Sequence, residues 1–530
     1  MNLMSMGRRS RLVLLGGAAF LACGLIVMII SHALSSGAHR EEPGGLLDNG
    51  AADAQIDGPV ELRIKAFCGD CHALPRPESF YRDLWHDMVR NGYQAYTRSG
   101  RSDLDPPPIH DTIAYYRARA PQQPIFPEPK EAETKLRTTF VVERLDRRPS
   151  DAPPAVADLC WTRLRPEDPP VLLACDMGTG EVVAWDLRQR KARVLARLDN
   201  PCHVEPCDLD GDGTIDLVVA DLGSYSARDH LRGRVVWLRQ HAVTGVFEPV
   251  VLASGLGRVA DVRPIDLEGT GKLDLVVAEF GFFRTGKILL LKNVASRGQA
   301  PRFEPHELDP RTGTTTILVH DFNRDGRPDF LALVSNEYES VDAFLRQPDG
   351  TFHLQTLWRA PDLSFGSSTM SLADLNGDGN VDVLFGNGDA FDNMYVTPWH
   401  GVQWLENCGA MEFKYHRLTD LPGACRALAG DFDGDGDLDV LATAYLPSGV
   451  KLETLAPGPP ASIVLLEQTS PGQFARHTLE TGLPNHAAAA VGDFDGDGAV
   501  DFVVGTHGSA LGKSLDGLTL WWNQRLRAKK

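Results

Sequence analysis

The stretch DFDGDGDLDV, residues 431–440, carries an aspartate at every second position and glycines at Gly434 and Gly436. An apolar segment precedes it, a β-rich segment follows it, and the same unit returns along the chain. Its opening aspartate falls at Asp158, Asp208, Asp266, Asp321, Asp374, Asp431 and Asp493, at intervals of 50 to 62 residues. Each unit continues through strand-like segments such as LVVA at 217–220, VVWL at 235–238 and the Phe-led FEPVVL at 247–252. A long period holding about four short strands marks propeller blades rather than a solenoid or a sandwich. Seven openings predict seven blades over residues 136–526, and so a mainly β chain. Closure is also legible. A Phe-led strand at 140–145 precedes the first opening, and the last unit ends at LTLWW, 518–522, without one. The early strand is expected to complete the last blade and leave no open edge.

Five of the loops follow DxDxDGxxD, with Asn in place of the second Asp in two of them. They are DLDGDGTID (Asp208, Asp210, Asp212, Asp216), DFNRDGRPD (Asp321, Asn323, Asp325, Asp329), DLNGDGNVD (Asp374, Asn376, Asp378, Asp382), DFDGDGDLD (Asp431, Asp433, Asp435, Asp439) and DFDGDGAVD (Asp493, Asp495, Asp497, Asp501). Side chains at positions 1, 3, 5 and 9 and a carbonyl at position 7 suit a hard cation that takes six to eight oxygens. Glycine at position 6 permits the sharp turn. Magnesium demands a stricter octahedron, so about five calcium ions are expected. An EF-hand is excluded, because no twelfth-position glutamate follows and strands flank the loops. These loops resemble the FG-GAP or VCBS family of propeller blades, also found in integrin heads. The loop at Asp266, DLEGTGKLD, offers Glu268 and Thr270 at positions 3 and 5, and at Asp158 the loop is lost.

The chain has 530 residues and a net charge of -18. The ligand positions of the five loops hold eighteen carboxylates, so the acidity reads as metal-binding capacity. An acidic chain of this kind repels a phosphate backbone, which excludes nucleic acid as a partner.

The first 40 residues read as a targeting element. Arg8, Arg9 and Arg11 precede an uncharged, mostly apolar run at 12–30, a length nearer to a membrane span than to a signal-peptide core. The expectation is a single-pass anchor in the cytoplasmic membrane with the rest facing the periplasm or the cell exterior; cleavage after Ala38 would instead secrete the chain. Beyond it, CGDCH at 68–72 is a sign of c-type haem attachment: Cys68 and Cys71 bind the haem covalently and His72 reaches the iron. A redox dithiol would want a βαβ context and a zinc site two more close ligands, and neither is present. Ser79 as an N-cap, Tyr81, Leu84, Trp85 and Met88 at helical spacing, and a stop at Asn91-Gly92 predict one helix, with another from Ile109 to Arg119. Residues 58–120 thus resemble a minimal class I monohaem cytochrome c. In that family the sixth iron ligand is often methionine, and Met88 is the one methionine between residues 29 and 176. His86, His110 or an open position are the alternatives, and Met88 could instead be one more core residue. Residues 121–135, rich in proline, read as a semi-rigid linker. Six further cysteines, Cys160, Cys175, Cys202, Cys207, Cys408 and Cys425, permit three disulfides in an exported chain.

Residues five before each opening aspartate (His203, Asp261, Thr316, Thr369, Arg426, Ala488) and three before (among them Glu205, Arg263 and Ser371) are expected on the strands lining the central channel. No nucleophile-base motif, nucleotide loop or HExxH site appears. Electron transfer is the favoured function, with the propeller as docking or ligand-binding platform and a redox protein or small-molecule donor as partner. Two others remain. One is a dehydrogenase whose propeller feeds the haem, similar in outline to quinoprotein dehydrogenases. The other is an adhesion or scaffold protein with a haem sensor.

Overall fold

A computed structural model describes residues 58–525, apart from residue 124 and the stretches 146–151, 297–298, 392–393, 451–457 and 509–516. The expected membrane segment, residues 1–40, lies outside the described residues. Among those described, no helix is long and apolar enough to cross a membrane.

Seven four-stranded antiparallel sheets form the propeller. The second strand of blades 2 to 7 is buried at every position, as in Asp216–Asp221 and Asp329–Val334. Both faces of such a strand meet a neighbouring blade, so it reads as a continuous apolar run instead of alternating. The core therefore lies between blades; Leu173, Val182, Leu217, Val219 and Val236 fill one such layer. Outer strands such as Phe303–Asp309 are mostly exposed. The ring closes as the sequence predicts: Phe140–Leu145 pairs antiparallel with Leu518–Asn523, from Phe140 opposite Asn523 to Leu145 opposite Leu518. Among the described residues these sheets and their connections leave the acidic loops on the turns between first and second strands.

The innermost strands are Val156–Thr162, Pro201–Cys207, Val259–Ile265, Thr314–His320, Ser367–Ala373, Ala424–Gly430 and His486–Gly492. All seven shift register between their first and third residues. That shared bulge corrects the reading of blade 1. Asp158 is a third residue, equivalent to His203 and Asp261, and it faces the channel instead of opening a loop. Arg163 stands where the other blades have their opening acid.

Among the described residues three helices precede the ring: α1 (Gly58–Cys68), α2 (Trp85–Ser99) and α3 (Ile109–Arg119). Their core is Ile64, Phe80, Leu84, Trp85, Val89, Tyr115 and Tyr116, with the Trp85 and Tyr116 rings stacked at 4.0 Å. Helix α3 has the expected bounds. Helix α2 does not stop at Asn91-Gly92: an exposed helical glycine costs only about 1 kcal/mol, and the helix runs on to Gly100, whose φ of 73° supplies the left-handed cap. Ser79 caps nothing. Its hydroxyl donates to Asp362 Oδ2 at 2.8 Å.

That bond belongs to a seam with the propeller. The fully buried Asp362 also accepts from the Arg76 backbone N–H (2.5 Å), and from the Ser364 N–H (2.7 Å) and hydroxyl (2.5 Å). Trp399 Nε1 donates to Ser79 Oγ at 2.9 Å, and the Arg76 guanidinium lies over the Trp399 ring. These propeller residues sit on the connections between second and third strands and between blades, at the end of the ring opposite the acidic loops. The proline-rich segment is no free spacer either. Glu131 pairs with Arg476 of blade 6 (2.8 Å) and accepts from Thr478, while the Ala132 N–H donates to the Arg476 carbonyl.

The eight described cysteines are unpaired. Cys202 and Cys207 show why neighbours do not join: they stand at opposite ends of one strand, about 16 Å apart at ~3.3 Å per residue, far beyond the ~4.4–6.8 Å that a disulfide spans.

Candidate functional site

Helix α1 delivers Cys68 on its last turn, and the CGDCH segment then unwinds across the face of the helical unit. Cys68 is half-buried, beside the Tyr116 hydroxyl, and burial pushes its thiol up to about 11. The Tyr116 hydroxyl itself is buried with no well-formed hydrogen bond among the described residues. Cys71 is exposed, and Arg101 Nη1 donates to its sulfur at 3.0 Å while pairing with Asp70 at 2.7 Å, which clamps the turn. His72 places Nδ1 2.9 Å from the Ala73 carbonyl. Donation there fixes the tautomer with Nε2 bare, the arrangement a metal-ligating histidine takes.

A cavity of about 510 Å³ opens over this segment, lined by Lys65, Cys71 and His72 on one side and by Arg311, Tyr338 and Arg359 of the propeller on the other. Its size lies within the ~300–1,000 Å³ of small-molecule sites. A bare imidazole nitrogen, an unsatisfied buried hydroxyl beside Cys68 and a cavity against Cys71 all fit a haem group. Met88 is not among the lining residues. It is half-buried and packs against the helical core, while His86 and His110 are exposed. The propeller wall was invisible in the sequence, because its residues lie some 240 to 290 positions downstream of the motif.

Four of the five acidic loops share one scaffold, the loop at Asp431 being the exception. The position-1 carboxylate accepts the N–H groups of positions 5 and 6, as at Asp208 (from Asp212, 3.1 Å, and Gly213, 2.9 Å), Asp321 (Asp325, 3.1 Å, and Gly326, 2.9 Å), Asp374 (Asp378, 3.0 Å, and Gly379, 2.8 Å) and Asp493 (Asp497 and Gly498, both 3.0 Å). The loop at Asp266 does the same through Thr270 and Gly271, so the turn forms even with a reduced ligand set. The position-9 carboxylate has a second task. Asp216, Asp329, Asp382, Asp439 and Asp501 each accept a backbone N–H from the end of the third strand, at 2.7–2.8 Å. Carboxylates converge within 4.8 Å at Asp208, Asp210 and Asp212, at Asp431, Asp433 and Asp435, and at Asp493, Asp495 and Asp501. Burial pushes Asp216 and Asp382 up to about 6, and Asp439 and Asp501 up to about 7, with neighbouring carboxylates adding to it. Asp210 Oδ1, Asp216 Oδ2 and Asp431 Oδ1 are buried without hydrogen-bond partners. Crowded carboxylates with unsatisfied oxygens fit a divalent cation. Arginines that the loop pattern does not announce share these loops: Arg239 meets Asp210 at 2.9 Å, and Arg137 reaches Asp433 at 3.0 Å and Asp435 at 2.7 Å.

In the channel, the bulge residues do converge. His203 lies between Asp158 (Nδ1, 3.0 Å) and Asp261 (Nε2, 3.1 Å); Arg263 pairs with Asp261 at 3.0 Å and Glu205 at 2.6 Å; Arg426 reaches Asp158 at 3.3 Å. Burial opposes a charge on His203, but Asp261 and Asp158 outweigh it and push the imidazole up to about 9. Three cations thus meet three carboxylates. Backbone groups of the next blade are drawn in as well, since Val204 N–H donates to Asp158 and Ile317 N–H to Asp261. The set fastens blades to each other. Another cavity, about 600 Å³ at the ring closure, is lined by Glu143, Arg190 and Trp522, and Glu143 is already committed to the other two at 2.6 and 2.7 Å.

The model of the FG-GAP-like repeat matches residues 195–277 and 299–385. The chain is also similar to Cartilage acidic protein 1 of Homo sapiens, 23% identical over 380 residues, covering 66% of this chain and 54% of that protein. The Mus musculus protein of the same name is 24% identical over 353 residues, 60% of this chain and 50% of its own length. The chain thus spans about half the length of these curated relatives. It carries FG-GAP-like repeats in a seven-bladed β-propeller.

Proposed function

We propose that this chain is an exported electron-transfer protein, in which a class I-like cytochrome c unit carries one covalent haem and a calcium-stabilised propeller serves as docking or ligand-binding platform. The observation that carries this reading is His72. Its Nδ1 is committed to the Ala73 carbonyl, and Nε2 stands free on a cavity shared with Cys71. Bound there, a haem supplies a one-electron couple. Cys68 and Cys71 hold it, His72 ligates from one side, and Met88 remains the candidate for the other. Tyr116 offers a buried hydroxyl at the Cys68 edge, and Arg101 holds the turn that presents Cys71. About five calcium ions, held at the loops opened by Asp208, Asp321, Asp374, Asp431 and Asp493, staple the first hairpins of five of the seven blades. Export follows from c-type attachment, by an uncleaved anchor or by secretion.

The charge balance of the channel weighs against the dehydrogenase reading: Asp158, His203, Glu205, Asp261, Arg263 and Arg426 are held in ion pairs with one another, so each carboxylate of the set already faces a cation. The scaffold reading has the similarity to Cartilage acidic protein 1 behind it. The deciding experiment is an absorption spectrum of the protein produced in a host that attaches c-type haem, oxidised and reduced. Covalent haem bands that vanish in the Cys68→Ala, Cys71→Ala double variant are expected. A wild-type protein that folds with no haem would leave only the scaffold reading.

A further inference from the structure

The cavity over CGDCH is half built by the helical unit. Its other wall is blade 4, through Arg311 from the connection entering the blade, Glu337 and Tyr338 between its second and third strands, and Arg359 at the end of its outer strand, Phe352–Arg359. These residues differ in how far they are committed. Arg311 is saturated: its guanidinium meets Asp309 at 2.5 Å and Asp342 at 2.8 Å, both buried carboxylates, and it lies 5.2 Å over the Tyr338 ring. This fixes Tyr338 as a flat, half-buried wall. On the opposite side Lys65 is paired with Glu61 at 2.7 Å and Asp70 with Arg101. Arg359 alone of the cavity's lysines and arginines makes no ion pair among the described residues, and it is exposed toward the opening.

We propose that blade 4 is the second half of the haem pocket, with Tyr338 covering the face of the group and Arg359 acting as counter-ion to a haem propionate. This rests on the reading that CGDCH binds haem. The physical case is complementarity: a haem carries two carboxylates at one edge, and a planar, permanently charged guanidinium pairs with a carboxylate through two parallel hydrogen bonds. Arg359 is exposed and makes no ion pair among the described residues, so a carboxylate bound in the cavity would meet it without displacing another partner. The Asp362–Arg76–Ser79 seam sets this wall at a constant distance from the motif, so the propeller governs the electrostatics of the redox group. The same sequence without its propeller would have an open, water-filled haem edge.

The test is potentiometry of the full-length haem-loaded protein, comparing wild type with Arg359→Gln and Arg359→Lys, and with Arg188→Gln in the distant closure groove as control. A cation beside the group favours its reduced form, so removing it should shift the reduced-to-oxidised ratio about tenfold toward oxidised, about 59 mV lower for a one-electron couple. Arg359→Lys should retain most of the wild-type potential, and Arg188→Gln all of it. Unchanged visible bands and melting temperature in Arg359→Gln would show that the variant is folded and loaded. An Arg359→Gln potential equal to wild type in a loaded protein overturns the pocket proposal while leaving haem attachment intact. A wild type without haem overturns both.

Discussion

Replacing Asp362 by alanine should free the helical unit from the propeller. The carboxylate is fully buried and accepts four hydrogen bonds, two from Ser364 on its own turn and two, from the Arg76 N–H and the Ser79 hydroxyl, across the seam. Bonds to a charged acceptor contribute about 1.5–3 kcal/mol each. The crossing pair alone therefore stabilises docking by at least about 3 kcal/mol, and each 1.4 kcal/mol is tenfold in an equilibrium. Local opening of residues 76–84 should become about 100-fold more frequent. Hydrogen–deuterium exchange read by mass spectrometry measures this directly: amides in that segment should lose about two orders of magnitude of protection, while the second strand of blade 1, Val171–Asp176, keeps its own. Asp362→Asn is nearly as damaging on the same reasoning. Both carboxylate oxygens already receive two donors, so either orientation of the amide turns its NH₂ on a pair of them. Exchange in residues 76–84 that is the same in wild type and Asp362→Ala would refute the clamp and leave the Trp399 contacts to Ser79 and Arg76, with apolar packing, as the basis of docking.

Chelating divalent cations should lower the melting temperature of the propeller without bleaching the haem, because a site saturated at 100 times its dissociation constant contributes about 2.7 kcal/mol; differential scanning calorimetry with and without chelator reads it, and an unchanged transition would mean that the loops hold no ion. The channel should respond to alkali. His203 is raised from 6.5 to about 9, so its contribution is fully present below pH 6.5 and is lost as pH rises through about 9. Urea midpoints between pH 6 and 10 should fall in wild type and stay nearly flat in His203→Gln.

The repeat was legible in the sequence because each blade must spend its residues in the same way. A buried second strand demands an uninterrupted apolar run, and an acidic turn needs glycine at its sixth position, so blade number, loop positions and closure by Phe140–Leu145 could all be read from local pattern. CGDCH stands in five consecutive residues, so the motif could be read in the same way, while the haem it implies belongs to the proposal. What failed was whatever depends on partners distant in the chain. Asp158 looked like a degenerate loop opening until the bulge common to all seven inner strands put it beside His203. Ser79 had the spacing of a helix cap, yet its hydroxyl found Asp362, 283 residues away. The stop expected at Asn91-Gly92 lost to continued packing of α2. Local propensities amount to about 1 kcal/mol each, whereas a buried carboxylate or an interblade layer commits several times that. Sequence alone therefore determined the repeat and its acidic chemistry. Only the tertiary structure decided that the CGDCH unit rests on blades 4 and 5, and that its cavity shares a wall with blade 4.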